Sequence, residues 1–436
     1  MYITRRSLLK ALAIGAGGHA LQPVRPLTAM SQSDGVAAQL DADLRQHAAF
    51  GDKFSGGPGD AATAAWIAGR LRRYGYRVQE SEFDAPYFVK RAARLATDSE
   101  VADVLPQAPV VVTGTAGLTA PLIAVEGNMN SAVTNPRGKI ALVVAPFGRH
   151  AALGSAGIGR TVIDVAQSGA SAVVLVTSGP SGEAVALNAR PEKPFIPVPM
   201  AILAPKRATP FIRAAHMGAA ATLTVDGEAT HRPCKNIVAT LERGERWIAV
   251  STPRTGWFGC VAERGTGTAV FLALADWLVR AFPNFSIFLM NSGGHEYYFA
   301  GTHRILHLAP PPEKTVVWAH IGATLAARDA VESDGRLVML DTADPQRSLM
   351  ATDRARAAAA EAFRGLSGLE KPAAVRPGAG ELSTFTDRGY YAAFAVIGVH
   401  RWFHTVEDTL ERVDATLLEP VLHSHQRAIE ILVSKT

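Results

Sequence analysis

From residue 233 onward, short and nearly continuous apolar runs alternate with longer segments of helical period. NIVATL (236–241) and RWIAVST (246–252) read as strands, and GTAVFLALADWLVRAF (267–282) as an apolar helix. FSIFLMNSG (285–293) and TVVWAHIGA (315–323) are again strands. DRARAAAAEAFRGL (353–366) is a helix, YAAFAVIGV (391–399) a strand, and DATLLEPVLHSHQRAIEILVS (414–434) a closing helix. A strand without polar alternation is covered on both faces, which is the habit of parallel sheets. The pattern predicts an α/β fold of three layers, a mostly parallel mixed sheet with helices on both faces.

Upstream the texture changes. Between 106 and 232, PVVVTG, KIALVVAPF, SAVVLVTSG, FIPVPMAIL and AATLTVDG alternate with Gly and Pro, with one helical segment, TVIDVAQSGA, among them. This reads as a compact β-rich insert with its own core. Before it, GPGDAATAAWIAGRLRRYGYRVQ (57–79) reads as a helix and then a strand. Asp60 is its expected N-cap, Ala65, Ile67, Ala68 and Leu71 its apolar stripe, and Gly75 its stop. The expected organisation is a leader (1–30), the first part of the main domain (31–105), the insert (106–232) and the rest of the main domain (233–436).

A chain of 436 residues suits two such units. Of the formal net charge of +5, four charges come from Arg5, Arg6, Lys10 and Arg25 in a leader without acids, so the remainder carries only +1. No basic patch points to nucleic acid. TRRSLLK (4–10) followed by ALAIGAGGHA is a charged segment and then a short apolar one, similar to a twin-arginine export signal and too short to span a membrane. An exported, periplasmic or secreted protein is the expectation. Cys234 and Cys260 are the two cysteines, and an oxidising compartment permits a bridge between them.

Ligands of open α/β sheets bind at the carboxyl ends of the strands. Four polar sites fall there. Glu263 follows RWIAVST, His295-Glu296 follows FSIFLMN, His320 follows TVVWA, and His400 and then His404 follow YAAFAVIGV. Singly, each is more often structural. Together, they are metal-ligand types at one sheet edge. His295-Glu296 is not half of a helical H-E-x-x-H motif, because the fourth position after His295 is Phe299.

With these residues in place, the sequence from about 58 to the C-terminus resembles the co-catalytic di-zinc aminopeptidases, whose relatives include the glutamate carboxypeptidase and transferrin receptor ectodomains. HTVEDTLERV (404–413) is similar to the family's H-T-P-x-D-T ending, and SGGHEYYFAGT (292–302) to its strand-SGxE-x₄-G-[ST] pattern. NIVATLERG resembles the start of the catalytic part, and the insert looks like a protease-associated domain. The resemblance implies a metal-dependent hydrolase acting on an amide bond of a peptide-like small substrate. It places His295 at the family's general base, Glu263 at its bridging Asp, and Glu296, His320 and His404 at further zinc ligands. The family's H-x-D motif, expected in VSTPRTG (250–256), is missing. The resemblance therefore implies one zinc rather than two, held by Glu263, Glu296 and His404, with His320 as a fourth ligand or a proton relay.

Arg254 and Arg264 are candidates for pairing with a substrate carboxylate, and Trp257 for a hydrophobic wall. Ser383 and Asp387, in the pocket-like loop 377–390, are expected to be structural. His303, His307, His423 and His425 are expected on helix surfaces. No nucleophile elbow, P-loop or dinucleotide fingerprint is present. Two other readings stay open: a catalytically silent binding protein on the same fold, and a hydrolase of a non-peptide amide or ester.

Overall fold

The computed structural model describes residues 32–125, 135–150, 156–334, 336–376 and 380–435. The leader segment lies outside them. Among the described residues no helix is long and apolar enough to cross a membrane.

A 13-stranded sheet forms the spine. Its main half has at its centre Ser286–Ser292, Trp247–Pro253, Thr315–Ile321 and Ala393–Gly398, all parallel in that order. Antiparallel strands flank them, Ala220–Leu241 on one side and Arg347–Ala351 on the other. The α/β expectation of a mostly parallel mixed sheet therefore holds. In the other half Leu118–Val125, Ile140–Phe147, Ala172–Ser178 and Met200–Leu203 pair in parallel. Two long strands, Arg77–Thr97 and Ala220–Leu241, pair along nearly their whole length and carry the sheet from one half to the other.

The continuous apolar runs are explained by alternation across two covered faces. Ile248, Val250, Ile287, Leu289, Val317, Ala319, Phe394 and Val396 point into the core beneath the helices Gln32–Ala49, Pro58–Arg73, Thr266–Ala281 and Ala415–Val433. Ala249, Phe288, Met290, Trp318, Ala393 and Ala395 point to the opposite core, roofed by Leu382, Phe385 and Tyr390. Successive side chains of a strand take opposite faces, so both sets must be apolar. The same parity sends His320 to the face of Trp318, which decides the partners it meets below.

Several local readings change. PVVVTG is irregular, and the strand there is the earlier Val101–Pro106. The helix Pro58–Arg73 is preceded by Gly57, so Asp60 lies inside its first turn. There Asp60 accepts the Gly56 N–H at 2.9 Å. His425 is fully buried between Phe363 and Phe394 rather than on the helix surface. Cys234 and Cys260 are both buried free thiols.

Candidate active site

The strand ends deliver the expected residues to one edge, and a cleft of about 650 Å³ opens there. Its wall includes His295, His320 and Arg264, Glu381 from the loop before the short helix Leu382–Thr386, and His150 and Asn188.

Glu263 sits in a widened helical turn, Val261–Gly265, that opens the helix Thr266–Ala281. Asp408 holds this turn by accepting the N–H groups of Ala262 (2.7 Å) and Glu263 (3.2 Å). Asp408 also faces His400 Nε2 at 3.2 Å. Glu263 Oε1 lies 3.2 Å from His404 Nε2 and 2.7 Å from Arg264 Nη2. The arginine contact is off the line of a hydrogen bond and acts as a charge pair. Burial pushes the Glu263 carboxyl up, but Arg264 and His404 outweigh it and hold the group well below the usual carboxylate range. Arg264 itself is pinned, with Nε donating to Thr255 O and Nη1 to Gly322 O, both at 3.0 Å.

His404 is held by Ala186. Its Nδ1 donates to Ala186 O at 3.0 Å, since a carbonyl can only accept, and its own carbonyl takes the Ala186 N–H at 2.9 Å. Six non-glycine residues around the site, Phe258, Cys260, Tyr298, Phe299, Thr324 and His404, have left-handed backbone. Such conformations persist only where surrounding contacts over-determine them, and they cluster at functional sites.

The second group centres on Glu381. His295 Nδ1 lies 3.0 Å from Glu381 Oε2, and His320 Nε2 lies 3.6 Å from the same oxygen. Ser251 Oγ accepts the Trp318 indole N–H at 2.8 Å, which leaves its own proton for His320 Nδ1 at 2.9 Å. The His320 ring proton then belongs on Nε2, toward Glu381. Ser292 and Thr302 hydroxyls meet the other oxygen, Oε1. Burial would raise the Glu381 carboxyl, but His295 and His320 hold it down at about 2. Burial pulls the His320 ring down to about 4. It also lowers His295, helped by Arg264 and opposed by Glu381. With Nδ1 committed, Nε2 is the His295 nitrogen left for the cleft, where its side chain is 16% exposed.

The four expected zinc ligands do not converge. Glu263 and His404 meet each other, and His320 turns to Glu381. Glu296 is separately satisfied: Oε1 accepts from Ser55 N (3.0 Å) and Oγ (2.7 Å), and Oε2 from Thr255 Oγ1 (2.7 Å). Pleat parity separates His320, and the three Ser55 and Thr255 donors hold Glu296. Among the described residues no group of three or more His, Cys, Asp or Glu side chains is placed to hold a metal ion. Glu263 Oε2 is buried without a partner, but its charge is already matched by Arg264. Protein zinc sites take three or four ligands. A Glu–His pair beside a fixed guanidinium does not fit one.

Arg254 is wholly buried and bound to Asp60, Asn291 and Lys235 O, away from the cleft. Trp257 is a buried strut whose Nε1 donates to Asn188 Oδ1 at 2.9 Å. Arg264 does line the cleft, though committed to Glu263. Glu381 follows no strand and so lies outside the strand-end pattern. Its signal was a lone acid in the small-residue loop PGAGELS.

No family profile matches the chain, and no curated protein is similar to it in sequence. Solved structures are similar in fold. A zinc aminopeptidase from Bacillus subtilis superposes with a TM-score of 0.68 at 17% identity, over 90% of this chain and 94% of that one. The fold is that of the zinc aminopeptidases. A Peptidase M28 precursor from Shewanella amazonensis SB2B gives 0.69 at 16% identity, over 92% and 95%. An aminopeptidase from Aneurinibacillus sp. strain AM-1 gives 0.62 at 17%, over 90% and 93%. The aminopeptidase fold thus extends over nearly the whole of this chain and of each of those chains.

Proposed function

We propose that this chain is a hydrolase that cleaves an amide bond of a peptide-like small substrate, with His295 as general base and Glu381 as the carboxylate that orients it. The observation that carries the reading is the 3.0 Å contact from His295 Nδ1 to Glu381 Oε2 at the wall of the cleft. A carboxylate on one ring nitrogen fixes the tautomer and leaves the other nitrogen basic. His295 Nε2 takes a proton from water as the water oxygen bonds to the substrate carbonyl carbon. The same nitrogen returns that proton to the leaving nitrogen as the C–N bond breaks. The zinc chemistry implied by the fold finds no fitting donor set here, and no step passes through it. The Arg5-Arg6 leader supports export of the chain, and the 106–232 unit is read as the protease-associated-like insert.

The test is turnover by the full chain on a panel of aminoacyl amides, N-acyl amino acids, short peptides and esters. Product release by the native chain that disappears in His295→Ala supports the reading, and the preferred bond type separates peptide from non-peptide substrates. No turnover of any panel member would instead make the cleft a binding site. The Glu263–Arg264 ion pair favours that second reading, because it occupies charges that would otherwise act on a ligand.

A further inference from the structure

Arg347 opens the strand Arg347–Ala351 directly opposite Gly398. Because this strand is antiparallel to Ala393–Gly398, its first residue lies at the carboxyl end of the parallel strands, where the cleft opens. Gly398 leaves the space for it, since a Cβ there would lie 3.0 Å from Arg347 Cβ. Arg347 is only 5% exposed, yet it is a wall residue of the cleft.

Its hydrogen bonds are incomplete. Nε donates to Ser367 O at 2.9 Å and Nη1 donates to Leu325 O. Both acceptors are neutral carbonyls, and Nη2 has no acceptor among the described residues. The nearest carboxylates are used elsewhere. Asp344 takes Arg149 Nη1 at 2.7 Å and the Gln346 N–H at 2.9 Å, and Glu370 is exposed. Burial lowers the Arg347 pKa to about 10, which keeps it cationic at neutral pH. Of the other charged groups in the cleft wall, Arg264 pairs with Glu263, and Glu381 is met by the His295 and His320 rings. Among the described residues no carboxylate forms an ion pair with Arg347, and the opposite charges that act on it, Glu370 and Asp344, do so without contact. Burying an unpaired ion is costly. Guanidinium recognises carboxylate through short, charge-assisted hydrogen bonds.

We propose that Arg347 anchors a free carboxylate of the ligand, so that the cleft takes a peptide-like amide carrying an acidic group. This names the substrate class and rests on the hydrolase reading only for the amide. The test reads binding, in the full-length His295→Ala chain, of N-acetyl-L-alanine and of its neutral carboxamide by titration calorimetry. The carboxylate should bind at least about tenfold tighter. In Arg347→Gln that preference should vanish while binding of the carboxamide stays unchanged, and Arg347→Lys should restore part of it. Equal binding of the two probes to the Arg347-containing chain, or no binding of either, overturns the proposal whether or not Arg347→Gln folds. Inorganic phosphate competing as well as the carboxylate would overturn the carboxylate assignment. Because turnover is not read, failure here leaves the role of His295 to its own assay.

Discussion

His295 and Glu381 are separated by 86 positions in sequence and by 3.0 Å in space. Removing the charge but not the shape, as in Glu381→Gln, takes away the upward pull on the His295 pKa. Burial and Arg264 then lower it with only Glu263 left to oppose them. Turnover should fall by about 10²–10⁴, the usual contribution of a positioned general base. The acid limb of the kcat/KM profile should also move to lower pH. A Glu381 that merely supported the loop would change stability and leave that limb in place.

Arg264 holds the position from which a cation could reach Glu263. Replacing it with Asn frees the Glu263 carboxylate, beside His404, for a metal. Elemental analysis of the native chain after zinc loading and desalting should give well under one zinc per chain, and Arg264→Asn should retain more. Stoichiometric zinc in the native chain would show that Glu296 leaves Ser55 and Thr255 to complete a third ligand.

Asp60 and Arg254 form an ion pair of 2.7 Å with both side chains essentially buried. Asp60→Asn would leave the guanidinium uncompensated, at a cost of about 3–5 kcal/mol in stability. Chemical denaturation should show this loss, while KM of the folded fraction stays unchanged. A KM effect without destabilisation would return Arg254 to the substrate site.

Much of this arrangement was legible in the sequence because a doubly covered strand has a simple signature. Ile248 to Val250 and Val317 to Ala319 are apolar on successive positions, and the polar residues that break such runs are those at the strand ends. Glu263, His295 and His404 are found that way. What the rule cannot supply is the face on which a side chain leaves its strand. His320 follows Trp318 to the side of Leu382–Thr386, and the ligand set divides. Glu381 and Arg347 lie outside the rule altogether, one in a loop and one at the start of a strand running the other way. Their roles come from long-range pairing, which local periodicity does not encode.

Acid should destabilise the fold before carboxylates titrate. His47, His320 and His425 are buried, and burial lowers each ring below its ordinary 6.5, to about 4 for His320 and His425. A group whose folded pKa is depressed stays neutral in the fold and takes up a proton only on unfolding. The stability tied to these rings is therefore complete above about pH 6.5 and is lost as pH falls toward 4. Glu381, held at about 2 against an ordinary 4.5, adds a further loss below pH 4.5. Glu296, raised by burial, acts in the opposite sense and softens that lower range. Melting temperatures followed by circular dichroism should drop steadily from about pH 6.5 downward. His425→Leu removes one titrating ring far from the cleft and should make the drop shallower. A flat melting temperature down to pH 4.5 would mean that these rings are hydrated or paired when protonated, and the account of the buried histidines would fail.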